Sequence, residues 1–180
     1  MKKVVVVDYD PAWPRIFEQL RAPVLEALGD VALSIEHVGS TSVPGLAAKP
    51  VIDIDVVVAE GAVAGAIKHL ATLGYSHRGD LGIPGREAFQ RPMGLPRHHL
   101  YLCPATSPAL ANHLAVRDHL RAHPVEAAAY GALKKRLAGD FPHDIDGYMA
   151  GKTDFLVGVL RKARFDADAL DEVVRLNSVR

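Results

Sequence analysis

Two aspartates one residue apart, Asp53 and Asp55, follow a Gly39-Ser40 pair within the stretch from Glu36 to Val58, EHVGSTSVPGLAAKPVIDIDVVV. On a strand, side chains at i and i+2 point the same way, so Asp53 and Asp55 share one face while Ile52 and Ile54 take the other. Two carboxylates side by side repel each other. An oxygen-seeking divalent cation such as Mg²⁺ relieves that repulsion and also binds phosphate oxygens. Gly39 and Ser40 can bring backbone N–H groups and a hydroxyl against a phosphate, because glycine leaves no side chain in the way. Thr41 follows in the same turn, and Lys49 adds a cation just ahead of the strand. The suggested chemistry is phosphate binding at Gly39, Ser40, Thr41 and Lys49, beside a metal held by Asp53 and Asp55. The same spacing also fits two solvated aspartates at the end of a core strand.

The elements that must position these residues alternate at first. Periodicity and turn residues predict strands over 4–7, 32–38 and 51–58, with helices over 12–28 and 62–73. Short strands follow over 75–78, 87–91 and 98–103 in a section punctuated by Gly and Pro. From residue 108 the pattern is helical, with helices over 110–123, 125–137 and 144–165 and a short tail helix over 167–176. The expected fold class is α+β, a mixed sheet flanked by helices (1–104) with a helical part after it (105–180). At 180 residues the chain suits one domain better than two.

Bulk composition narrows the partners. Lys plus Arg equals Asp plus Glu at 21 each, so no global basic field gathers DNA or RNA, and nucleic acid is not expected as a partner. The single Cys103 makes no internal disulfide, and a reducing cytoplasm is the expected setting. The start MKKVVVVDYD reads as a strand rather than a signal sequence, and no apolar run approaches the roughly 18 residues that cross a bilayer. A soluble protein with no membrane partner is expected.

The quoted stretch resembles the signature of the GrpB family, H-[IV]-G-S-T-S-V-P-G-L-x-x-K-P-x-x-D. The resemblance extends to YDPAW at Tyr9 to Trp13, HHL at His98 to Leu100, RDHLRAHP at Arg117 to Pro124, AYGALKKRLA at Ala129 to Ala138, and Tyr148 with Lys152. A Gly-Ser turn followed by D-x-D on the next strand also resembles the DNA polymerase β-like nucleotidyltransferase superfamily. That resemblance implies a nucleoside triphosphate held at the Gly-Ser turn and Mg²⁺ or Mn²⁺ held by Asp53 and Asp55 as catalytic residues. It implies transfer of a nucleotidyl group to a small acceptor by positioning and charge neutralisation. The resemblance to the GrpB family adds Lys152 to the phosphate-binding set, against the alternative of a solvated lysine.

One departure bears on the metal. Such enzymes usually carry a third carboxylate on a neighbouring strand, and no acidic residue stands between Arg97 and Cys103. His99, sharing a face with Tyr101, can take that place, and a nitrogen ligand shifts preference from Mg²⁺ towards Mn²⁺ or Zn²⁺. The alternative is a hydrogen-bonded histidine at the sheet rim. Glu87 is a second candidate. Arg86, Arg91 and Arg97 suit phosphate but read more simply as solvated arginines. His113 and Arg117 share a helix face and read as surface residues, Trp13 as a core anchor and Cys103 as a buried thiol. Three functions stay open: a metal-dependent nucleotidyltransferase, a non-catalytic nucleotide- or cofactor-binding module, and a phosphotransfer enzyme or hydrolase with a His-containing metal site. The helical half can shape an acceptor pocket or a homodimer face.

Overall fold

The computed structural model describes residues 3–163, 165, 170, 171 and 173–175. A five-stranded mixed sheet runs in the order β1-β2-β5-β4-β3, from Ala32–Val38 (β1), Ile52–Val58 (β2), Ser76–His77 (β3), Glu87–Gln90 (β4) and His98–Pro104 (β5). Only β2 and β5 are parallel neighbours; the other pairs are antiparallel. Parallel pairing needs a long crossover, and the chain between β2 and β5 supplies it with helix α2, Val63–Thr72, and two short strands. The α+β expectation holds.

Alternation along β2 sorts its residues between two layers. Ile52, Ile54, Val56 and Val58 face helix α1, Trp13–Leu28, whose Trp13, Phe17, Leu20, Val24 and Leu28 recur every three or four residues and are buried against them. Trp13 is the core anchor its neighbours imply. Asp53, Asp55 and Val57 face the other way, towards helices α3 (Pro108–Ala122), α4 (Pro124–Asp140), α5 (Ile145–Ala150) and α6 (Thr153–Lys162). On that side Val57 and the buried Cys103 meet Leu110 of α3. Burial holds the Cys103 thiol up at about 12, so it stays protonated and unreactive.

Two expected elements differ. The β-branched run at 4–7 forms no strand: Val7 makes a single bridge to Ala48, and Val4 donates to Pro142 O at 2.8 Å. It lies between a loop and a helix end, without a strand to extend along. The helix expected over 144–165 is broken into α5 and α6. Gly151 lies so close to Leu137 of α4 that a Cβ there would stand 3.0 Å from Leu137 Cδ1, and the chain restarts at Lys152, which caps α6. Of the tail helix expected over 167–176, residues 170, 171 and 173–175 are helical, and the others lie outside the described residues. No described helix is long and apolar enough to cross a membrane.

Candidate functional site

The register of the sheet gathers the chemistry. Antiparallel β1 sets Val38 opposite Asp53 and Glu36 opposite Asp55; parallel β5 sets His99 opposite Asp53 and Tyr101 opposite Asp55. Each aspartate is bonded to a histidine. His99 Nδ1 donates to Asp53 Oδ1 at 2.8 Å, and His113 Nδ1, reaching down from α3, donates to Asp55 Oδ2 at 2.7 Å. Asp55 is fully buried, and its Oδ1 has no hydrogen-bond partner among the described residues. Burial opposes charging of His113, but the Asp55 and Asp53 carboxylates outweigh it and the imidazole pKa is raised. Glu87 is excluded as a further ligand by the pleat. It pairs with Leu102 on the opposite face of the sheet and bonds His77 at 2.5 Å.

The turn after β1 is built around Gly39, with φ 68° and ψ −175°, a conformation reserved for glycine. A Cβ there would stand 3.0 Å from Asp53 Cγ and closer still to Oδ2. The glycine thus lets the turn approach the carboxylate. Gly39→Ala is expected to cost about 1–3 kcal/mol in chemical denaturation, because it adds backbone strain and displaces Asp53. An unchanged midpoint would show that the turn relaxes at no cost. The rest of the turn is held from behind. Ser42 Oγ donates to Gly39 O at 2.6 Å, and Arg121 donates twice to Ser42 O at 3.0 and 2.9 Å. Thr41 directs its hydroxyl inward to Val51 O at 3.3 Å and accepts from His37 Nε2 at 3.0 Å, so its side chain braces the turn. Burial drops the His37 pKa to about 4, which keeps this brace neutral.

One cleft of about 500 Å³ is lined by Gly39, Ser40, Thr41, Lys49, Asp53, His99 and Lys152 together, with Asp55 beneath it under His113. The residues expected to bind phosphate and metal converge here, with Asp55 beneath the floor, whereas Glu87, Arg91 and Arg97 do not line the cleft. Lys152 owes its place to the break between α5 and α6, which leaves Nζ 4.9 Å from the Tyr148 ring centroid, while Lys49 Nζ lies 5.3 Å from the same ring. Among the described residues, no group of three or more His, Cys, Asp or Glu is arranged to hold a metal ion.

Sequence reading missed four participants. Lys134 of α4 is 2 % exposed, and its Nζ donates to Ser40 Oγ at 2.7 Å. Burial, with Lys152 and Lys49 nearby, lowers its pKa to about 7. Its signal was legible: Ala127, Tyr130, Gly131, Lys134 and Leu137 form one buried stripe, and a lysine on such a stripe needs a reason. His113 and Arg117, read as surface residues, both line the cleft, and Arg117 Nη1 donates to Glu36 Oε2 at 2.7 Å. Arg86, read as solvated, is 4 % exposed and lies over the Tyr101 ring.

Comparison with known proteins agrees over nearly the whole chain. The family described as GrpB protein matches residues 3–162. The chain is 36% identical over 156 residues to the UPF0157 protein YqkA of Bacillus subtilis, covering 86% of this chain and 46% of YqkA, so it spans about half that relative's length. The crystal structure of conserved protein GrpB from Enterococcus faecalis superposes with a TM-score of 0.78 at 35% identity, covering 93% of this chain and 98% of that one. A structure of the Cid1 poly(U) polymerase aligns at 14% identity and a TM-score of 0.45 over 71% of this chain and 42% of its own, a likeness on which nothing about activity rests.

Proposed function

The chain belongs to the GrpB family, and we propose that its cleft binds a nucleoside triphosphate with a divalent cation and transfers the nucleotidyl group to a small acceptor, breaking the α–β phosphoanhydride bond and releasing pyrophosphate. The observation that carries this reading is the meeting, in one cleft, of a glycine turn, three lysines from separate elements and the Asp53 carboxylate, with Asp55 buried beneath it. Lys49 comes from the loop before β2, Lys134 from α4 and Lys152 from the α5–α6 junction. Together they offset the several negative charges of a polyphosphate, while Ser40 and the turn's backbone orient it.

The donor set fits a cation. Asp55 carries a buried oxygen without a partner, a costly arrangement that a cation or its bound water would relieve. Gly39 leaves no side chain over Asp53 Oδ2. Asp53 and Asp55 would hold the ion, and His99, bonded to Asp53 Oδ1, would orient that carboxylate. Mg²⁺ and Mn²⁺ commonly use one or two carboxylates and complete their shell with phosphate and water, which suits two aspartates beside a phosphate turn. The cation, when bound, neutralises charge developing on the phosphates. The chain's own residues hold the triphosphate by its charge, fix the α-phosphate against the carboxylate face and exclude water with the helices above.

A thermal-shift panel of ATP, GTP, CTP and UTP, each with Mg²⁺, Mn²⁺ or Zn²⁺, tests this reading, followed by transfer of label from an α-³²P nucleotide. Ligand that binds only the native state raises the melting temperature by mass action. A metal-dependent shift is expected in wild type and not in Asp53→Ala. No shift with any nucleotide would overturn the reading. A second reading, a non-catalytic nucleotide- or cofactor-binding module, draws on the closed state of the carboxylates, with Asp55 fully buried and Glu36 paired to Arg117. It predicts the same shift with no transfer of label.

A further inference from the structure

Arg86 stands apart from the lysines. Its position just before β4 places it on the β5 side of the carboxylate pair, away from the Ser40 turn, with Cζ 4.2 Å from the Tyr101 ring centroid. It is 4 % exposed, its Nε has no partner, and among the described residues its guanidinium makes no hydrogen bond or ion pair. A buried guanidinium that makes no hydrogen bond or ion pair is expensive, even with the Asp55 carboxylate in the same neighbourhood. Stacking on Tyr101 supports one face of the guanidinium and leaves its edge for a ligand. Asn112 of α3 lines the same cleft, one helical turn on from Pro108, which packs against Gly85 next to Arg86, and has a buried Oδ1 without a partner. Three of the four buried side-chain atoms lacking a partner among the described residues, on Asp55, Arg86 and Asn112, therefore belong to this cleft or its floor. The walls beside Arg86 are short and largely apolar, made by Ile83, Pro84, Gly85, Pro108 and Ala109.

We propose that the Arg86 end of the cleft is the acceptor subsite, and that it takes a small hydroxy acid, with its carboxylate on Arg86 and a hydroxyl on Asn112. The planar guanidinium fork matches a carboxylate's two oxygens, whereas the lysines at the opposite end are point charges suited to phosphates. A carboxylate also carries one charge past Asp53, Asp55 and Glu36, where a phosphate dianion would meet stronger repulsion. The unpartnered acceptor on Asn112 asks for a donor, and a hydroxyl supplies it without placing a second cation beside Arg86. The designation as acceptor rests on the nucleotidyl-transfer reading; the binding of a hydroxy acid does not.

Isothermal titration calorimetry with D-glycerate, glycolate, acetate and inorganic phosphate, without nucleotide, tests the subsite. D-glycerate or glycolate is expected to bind wild type more tightly than acetate or phosphate. Arg86→Gln should weaken that binding by about tenfold or more, and Asn112→Ala should bring it down to the level of acetate. The melting temperature of Arg86→Gln should stay close to that of wild type, since the guanidinium makes no hydrogen bond or ion pair in the empty protein. A lower melting temperature would make Arg86 a structural residue and overturn the proposal. So would hydroxy-acid binding that is absent or indifferent to Arg86→Gln, or an ATP–Mg²⁺ shift lost in that variant while D-glycerate still binds it. If D-glycerate binds through Arg86 while no nucleotide shifts the protein, the subsite stands and the nucleotidyl-transfer reading falls; the converse result separates them the other way.

Discussion

Asp53→Ala and Asp55→Asn are each expected to reduce label transfer by roughly a thousandfold or more, because loss of a cation ligand removes several kcal/mol of transition-state stabilisation. The two variants differ in what they do to the fold. Asp53 has a side chain 30% exposed, so its truncation should leave the melting temperature close to wild type. Asp55 is fully buried beside Asp53 and opposite Glu36. Truncation to alanine would open a cavity and strand His113, whereas asparagine keeps the shape and can still accept from His113 Nδ1. Asp55→Asn should therefore fold, with a melting temperature below wild type because the charge-assisted bond from His113 is weakened, a loss partly offset by relief of repulsion with Asp53. Steady-state label transfer and differential scanning calorimetry on both variants read the two effects separately. Undiminished transfer in either variant would remove the aspartates from the chemistry.

The legible parts of this site were those written in local pattern. D-x-D on a strand carries its own geometry, because the pleat forces Asp53 and Asp55 onto one face whatever the rest of the fold does. The glycine turn is equally local: the conformation of Gly39 needs no knowledge of distant elements. Register carried further information that the strand assignments alone could not release. Glu36 becomes a neighbour of Asp55 only once β1 pairs antiparallel with β2 in the observed register, and Glu87 is ruled out only once β4 pairs with β5. His113 and Arg86 were hidden for a different reason. Both come from elements whose orientation over the sheet is set by packing, Leu110 against Val57 and Cys103 in one case and the Arg86–Tyr101 stack in the other. A polar residue on an amphipathic helix has solvent as its default environment, and only tertiary structure overrides that default. The break at Gly151 was visible as a glycine, but its effect on Lys152 depends on how closely α5 and α4 approach.

Lys134 provides the sharpest test of the phosphate end. In the unfolded chain its amine titrates near the ordinary 10.5; in the fold, burial and then the Lys152 charge bring it to about 7. Between those values the unfolded state holds a proton that the native state lacks, so this group makes stability rise with pH from about 7 to about 10.5. Below the folded pKa both states are protonated and the full penalty of a buried ammonium is present; above the unfolded pKa the penalty has gone. Lys134→Met fills the same space without charge. It should be more stable than wild type by roughly 2–4 kcal/mol at pH 6, after allowance for the lost bond to Ser40, with the advantage shrinking towards pH 10. Denaturant titrations at the two pH values measure this, and an equal advantage at both would show that Lys134 titrates as an ordinary lysine. Polyphosphate reverses the balance. Its negative charge favours the ammonium form, so wild type at pH 8 should take up a proton as ATP–Mg²⁺ binds, read by calorimetry in buffers of different ionisation enthalpy. Lys134→Met should show no such uptake and bind ATP–Mg²⁺ about ten- to a hundredfold more weakly, the loss of one charge-assisted contact to phosphate. A lysine that destabilises the empty protein and is repaid only when an anion arrives is selected for the ligand rather than for the fold, and a Lys134→Met variant that bound ATP–Mg²⁺ as well as wild type would move the phosphates elsewhere in the cleft.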